Sequence, residues 1–416
     1  MIHFNMAFNL SIEQTYVPAD SQYVVAEQSY LPLLEVLENH PQQKASFFVD
    51  GKTDLFLQRK FPGIVRRIMK GIERGQFEIG TYTYTHPILS LIPLEDTWKQ
   101  IKRGLEIDER VWRKRPKGLL LPEGGWDPSL PYMLNKMQLE WLIIPHLNIL
   151  RDFPETKPRE LHRALKLKGI LDSEIAGFCV VYEVGDTKRI MEIMLDSEKG
   201  ENKKSMLDYI IDLARNGSDQ LIFIAKEDAE FIYHSGKRIE RQKYGTGGKR
   251  NIIGEPLKDG VEVQAEKFDT FLSDLEKIKD INFTLIQDFL PQHPPQKEYS
   301  LRPAFGWYKS FQEWLGGSEK VGYMIDEARI DIKAAEYAIL LAGKMGFEIG
   351  CANRLLEEAW DSLMNAEISV GRRACAHPLG EVSRVIRSME DAIRAKELAT
   401  KAITEGLQKK EEEMGN

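Results

Sequence analysis

Short apolar runs separated by longer stretches of helical period dominate the first 300 residues. The runs are Ile2 to Phe8, Ala45 to Val49, Gln76 to Gly80, Gly118 to Leu121, Glu140 to Ile144, Leu221 to Ala225 and Asn282 to Ile286. Apolar strands alternating with amphipathic helices are the pattern of a parallel sheet or barrel. Seven such strands predict an α/β fold, an incomplete (β/α)7 barrel, in which the loops leaving the strand C-terminal ends carry the chemistry.

Two stretches break the alternation, one over 151–204 and one over 235–260, and both read as insertions. The second contains GTGGKR but lacks the GxxxxGK[ST] spacing and has no apolar strand leading into it, so it reads as a solvated loop rather than a phosphate cradle. From about Gly322 onward strand signals cease and Ala, Leu, Ile, Glu and Arg predominate. Leu355, Leu356, Ala359, Leu363 and Met364 recur at helical spacing, as do Val382, Val385, Ile386, Met389 and Ile393, each set forming one apolar stripe. The predicted organisation is a catalytic barrel over 1–303, a C-terminal helical bundle over 304–405, and a charged tail over 406–416 too poor in apolar residues to bury anything.

Composition narrows the range of functions. A chain of 416 residues that is 42% hydrophobic is long enough for more than one core. With 29% charged residues and a formal charge of -7, its surface field repels phosphate backbones, so nucleic acid is not an expected partner. Cys179, Cys351 and Cys375 stand far apart with no CxxC spacing, which argues against a disulfide framework or a zinc knuckle. No run approaches the roughly 18 apolar residues of a membrane span, and the first residues lack a basic region followed by an apolar stretch. A cytoplasmic setting without membrane attachment is expected. Oligomeric state is left open, a homo-oligomer included.

Candidate chemistry sits where apolar runs end. In KGLLLPEGGWDPSLP a strand runs into Pro122 and Glu123, and two glycines after the carboxylate let a ligand approach the backbone while Trp126 offers an apolar ring face. In LIFIAKEDAEFIYHSG a strand ends in Glu227, Asp228 and Glu230; like charges desolvated by Phe231 and Tyr233 raise one carboxyl pKa, as a proton donor requires. In GQFEIGTYTYTHPILSLIPLE a strand carries Glu78 and the following loop carries His86. The bland alternatives are a solvated turn for Glu123, a helix cap for Asp228 and core packing for Trp126.

These segments resemble two related families. FFVDG and EIG followed by a His-bearing turn are similar to strands of polysaccharide deacetylases, which bind a metal through an Asp and two His four residues apart. Here Tyr82 stands four before His86, and the first strand reads FNMAFN in place of an Asp pair, so no metal is expected. The wider resemblance is to glycoside hydrolase family 57, carried by THPILSLIPL at 85–94, by KGLLLPEGGWDPSLP and by EDAEFI, in the family's order. Among its members YTHPILSLIPL and LLLPEGGWDP look most like the short α-galactosidase type.

That resemblance implies a retaining hydrolase of α-glycosidic bonds with Glu123 as nucleophile and Asp228 as acid/base, needing no cofactor and acting on oligosaccharides or small α-glycosides. The family's first strand usually carries a His motif that contacts the sugar; the expected equivalent is Asn5. Glu78 and His86 are expected to position the sugar, with Trp126 and Trp307 stacking on it. The alternatives are a metal-dependent deacetylase-like hydrolase and a noncatalytic carbohydrate-binding relative.

Overall fold

The computed structural model describes residues 1–12, 22–181, 201–232, 260–304 and 319–369, with scattered positions between 386 and 404. It divides into two compact units, residues 1–309 and 310–416.

The first unit is built on one sheet. Its strands are β1 (Ile2–Leu10), β2 (Ala45–Val49), β3 (Phe77–Thr81), β4 (Gly118–Leu120), β5 (Trp141–Pro145), β6 (Leu165–Lys168), β7 (Glu174–Val180), β8 (Ile222–Asp228), β9 (Ile281–Phe283) and β10 (Lys297–Ser300). Seven of them run parallel in the order β7, β5, β4, β3, β2, β1, β8. The two outermost, β7 and β8, lie near each other in space, so the sheet curls into the incomplete (β/α)7 barrel expected of the chain. All seven strand C-termini open on the same rim.

One strand differs from expectation. The seventh stave is β7, inside the stretch read as an insertion, whereas the run at 282–286 supplies only β9, which pairs the first residues of β1. The physical reason lies in composition. In EIAGFCV the centre is Ala176 and Gly177, which dilute the apolar signal, yet a side chain at Gly177 would stand 2.5 Å from the Leu167 side chain of antiparallel β6. A residue without a side chain is needed at 177 for the two strands to pair.

Strand alternation sorts the barrel's two faces. Ala7, Phe48, Leu120, Trp141, Ile143, Phe178, Val180, Ile222 and Ile224 form the inner cluster, and Ile286 and Phe289 close it from below. Helices cover the outside. The helix Gly51–Lys60 starts where Asp50 accepts from the Thr53 amide at 2.9 Å, an N-cap placed directly at the end of β2. The helix Pro62–Glu73 begins on proline and buries Ile64, Val65 and Ile68, one stripe at helical spacing.

In the second unit the helices Glu319–Lys344 and Gly350–Ala366 pack through Ala335, Ile339, Ala352 and Leu355. Ala359, Leu363 and Met364 of the predicted stripe are buried as well, and Trp360 Nε1 donates to Glu336 Oε1 at 2.9 Å. Val382, Val385 and the segment 235–260, apart from Gly260, lie outside the described residues, as does the tail 406–416. Among the described residues no helix is long and apolar enough to cross a membrane.

Candidate active site

Glu123 follows β4 in a single tight turn, Pro122–Gly124, with its own backbone left-handed at φ 51° and Gly124 at φ 68°. A non-glycine residue in that region is uncommon and costs energy that its surroundings must offset. Here the turn is held on several sides. Gly124 and Gly125 amides donate to the Leu121 and Pro122 carbonyls at 2.9 Å each, and Asn148 Nδ2 donates to the Gly124 carbonyl at 2.9 Å. Gly125 is required by a close approach: a Cβ there would meet Ile88 Cγ2 at 3.0 Å and the Leu89 amide nitrogen at 3.2 Å. The turn bearing Glu123 therefore rests against the loop that carries His86.

That loop is itself tightly fixed. Thr83 and His86 adopt left-handed backbone, at φ 68° and 60°. Gln100, from the helix Leu94–Trp112, accepts from the Thr85 amide at 3.1 Å, and the His86 amide donates to Thr83 Oγ1 at 3.1 Å. The His86 ring packs edge-on to Tyr82 at 4.4 Å. Burial drives its pKa down to about 3, helped by the charge of Lys226 and opposed by that of Asp228. His86 is thus a neutral imidazole at the mouth of β8, brought together with Lys226 and Asp228.

Asp228 ends β8 on the inner face. Its carboxylate side chain is 46% exposed, and the Nζ of Lys226, 6% exposed, stands 2.6 Å from Oδ1. The acidic cluster is resolved into three environments. Glu227 is buried and accepts from the Asp228 amide at 3.0 Å. Glu230 is buried too, accepts the Tyr30 hydroxyl at 2.8 Å, and is pushed up to about 7, first by burial and then by the charge of Asp228. Glu230 is therefore raised chiefly by burial, with the charge of Asp228 second.

Three expected sugar contacts are placed elsewhere. Asn5 is registered opposite Ile224, four residues short of Asp228, which at a strand rise of about 3.3 Å per residue is roughly 13 Å down the barrel. Glu78, near the start of β3, accepts from the amides of Ile286 at 2.8 Å and Gln287 at 3.1 Å. The Ser46 hydroxyl lies between Glu78 Oε1 and Asn5 Oδ1, and Asn5 Nδ2 donates to the Thr284 carbonyl at 3.0 Å. Asn5 and Glu78 tie the strands to the barrel floor, and burial raises the Glu78 pKa to about 7 against the pull of its hydrogen bonds. Trp126 is wholly buried, donates from Nε1 to the Leu301 carbonyl at 3.2 Å and packs among Leu89, Leu130 and Leu134, so its ring meets core rather than sugar. Trp307 lies outside the described residues.

Two residues went unread in the sequence. Asn9 is registered opposite Asp228 at the rim end of β1, 5% exposed, with Oδ1 lacking a hydrogen-bond partner. Counting by twos from Asn5 along β1 reaches it. Lys226 is found the same way, two residues before Asp228. Among the described residues no group of three His, Cys, Asp or Glu side chains converges as metal ligands would.

Fold and rim together define a (β/α)7-type barrel with one carboxylate on the turn after β4 and another at the end of β8. Residues 5–164 match the sequence profile of glycosyl hydrolase family 57. The chain is 31% identical over 122 residues to an α-amylase of Pyrococcus horikoshii, covering 28% of this chain and 18% of that protein. The chain thus aligns with less than a fifth of the length of that curated relative. Among solved structures, the 4-α-glucanotransferase of Thermococcus litoralis shares the fold with a TM-score of 0.64 at 16% identity, over 95% of this chain and 59% of that one. An α-amylase of Thermotoga maritima does so with a TM-score of 0.62 at 14% identity, over 97% and 93%.

Proposed function

We propose that the protein is a retaining glycoside hydrolase or transglycosidase of α-linked glucans, with Glu123 as nucleophile and Asp228 as acid/base. The observation that supports this reading above the others is the placement of these two carboxylates, from different strands, on one rim of the barrel, with the Glu123 turn locked against the His86 loop. In such a mechanism Glu123 attacks the anomeric carbon while Asp228 gives a proton to the departing oxygen; Asp228 then takes a proton from the water or sugar hydroxyl that cleaves the glycosyl enzyme. Neutral His86 is suited to hydrogen-bond a sugar hydroxyl without adding charge. The names of the relatives, α-amylase and 4-α-glucanotransferase, favour α-glucans over the α-galactosides suggested by the motif texture.

A deacetylase-like reading finds little support, because Tyr82 stands where a second His ligand is needed and packs on His86. The decisive experiment incubates the protein with maltooligosaccharides and with aryl α-glucosides and α-galactosides, following the anomer of the first product by NMR. Retention of the α-anomer on glucosides, lost in Glu123→Gln and Asp228→Asn by about 10²-fold or more, supports the proposal. Sugar binding with no turnover in the native protein indicates a noncatalytic relative, and release of acetate with added zinc indicates the deacetylase chemistry.

A further inference from the structure

The inner face of β8 carries a buried lysine, Lys226. Lys226 is 6% exposed and sits two residues before Asp228, so both side chains point into the barrel, the ammonium reaching up from beneath to within 2.6 Å of Asp228 Oδ1. Burying an ammonium is costly unless it is paired, and the carboxylate above it is one such partner. A cation at this distance favours the charged form of its partner. That is the reverse of what a resting proton donor needs.

Lys226 holds Asp228 directly, and Glu123, on the turn after β4, is the other carboxylate of this rim. On the neighbouring strand, β1, the inner-face residues at this level are Ala7 and Asn9, both uncharged. Across the gap β7 offers Phe178 and Val180. From the loop after β3 comes His86, neutral because burial and Lys226 both disfavour its charge. Past β8 stands Glu230, buried, held by Tyr30 and pushed up to about 7; where it does ionise, it opposes Lys226. Glu227 lies on the opposite face of the strand, donating nothing and accepting from the Asp228 amide.

We infer that Lys226 is a positioning residue for the acid/base: it fixes the orientation of Asp228 through one oxygen and holds it as a carboxylate in the empty enzyme, so that the proton needed for the departing oxygen is available only toward acid pH. This rests on the assignment of Asp228 made above. Lys226 touches no reacting atom in this role. Its effect reaches the reaction through Asp228 alone, so it appears where proton donation limits the rate and vanishes where it does not.

The test compares the pH dependence of kcat/KM in the native protein and in Lys226→Met, Lys226→Gln and Lys226→Arg. Two substrates are used, a maltooligosaccharide, whose departing sugar needs a proton, and a dinitrophenyl α-glucoside, whose departing phenolate does not. The expected result on the maltooligosaccharide is a basic limb that moves up by about one unit or more in Lys226→Met and Lys226→Gln, the scale on which a neighbouring charge shifts a carboxyl. In Lys226→Arg, where the charge is kept, the limb stays within about half that shift. On the dinitrophenyl substrate none of the variants moves the basic limb. Lys226→Gln, which keeps a polar head, carries the test if Lys226→Met does not fold.

Superimposable profiles for native protein and Lys226→Gln overturn the inference, as does Lys226→Arg shifting like the neutral variants. Asp228→Asn in the same assay separates the two levels of argument. If it keeps native activity on the maltooligosaccharide, the acid/base assignment itself falls; if it is inactive while Lys226→Gln leaves the limb in place, only the role of Lys226 falls.

Discussion

The Tyr30 hydroxyl donates to Glu230 Oε1 at 2.8 Å, joining the start of the helix Leu31–Asn39 to the residue two past Asp228 across 200 positions of sequence. The bond keeps a buried carboxyl satisfied immediately behind the rim that carries Asp228. Burial of that carboxyl, which the Tyr30 bond only partly offsets, makes the stability depend on pH.

Glu230 has a folded-state pKa of about 7, above the ordinary 4.5, so the folded protein binds a proton there that the unfolded chain has released between those values. Its contribution is complete below pH 4.5 and is lost as pH rises through 7, a loss of up to about 3 kcal/mol at 1.36 kcal/mol per unit. Glu230→Gln removes that dependence. Urea denaturation at pH 5 and pH 8 is expected to show a smaller fall in stability for the variant than for the native protein; equal falls would show that Glu230 does not carry it.

At the floor, Glu78 accepts two backbone amides and lies against Ser46, so Glu78→Gln replaces one acceptor oxygen by a donor facing a donor. A buried polar group left without its partner costs about 1–3 kcal/mol. The variant is expected to melt earlier by an amount of that order while its KM for a maltooligosaccharide stays within twofold. A tenfold rise in KM with unchanged melting would return Glu78 to the sugar site.

Gly125 gives the complementary case at the rim. A Cβ there stands 3.0 Å from Ile88 Cγ2 and 3.2 Å from the Leu89 nitrogen, so either the Glu123 turn or the His86 loop must move by a few tenths of an ångström. Nucleophilic attack depends steeply on such placement. Gly125→Ala is expected to lower kcat by about tenfold or more with KM little changed and a thermal midpoint lowered only slightly. Full activity in this variant would show that the turn has slack.

Much of this arrangement is written locally in the chain. Runs such as ASFFV and LIFIAKED are apolar because parallel strands are buried on both faces, and their ends therefore announce where Glu123, His86 and Asp228 emerge. The order of the motifs along the chain, and the fact that each follows a strand, needs no tertiary knowledge. The stripe at Leu355, Ala359 and Leu363 likewise predicts a helix whose buried face the structure reproduces.

What the chain could not disclose by itself is depth and pairing. Asn5 and Asn9 lie on the same face of β1 and look alike in sequence; only the register against β8 sends one to the floor and the other level with Asp228. Trp126 follows Glu123 by three residues, yet the bridge between its backbone and Ala304 turns the ring into the core. β7 is hidden because Gly177 is small for a reason visible only when the Leu167 side chain packs over it. Within the acidic cluster, sequence shows three carboxylates in four residues, but it is burial in the folded protein, reinforced by the charge of Asp228, that raises Glu230. Local composition determines which residues reach the rim of a strand; desolvation and long-range contacts determine what each can do there.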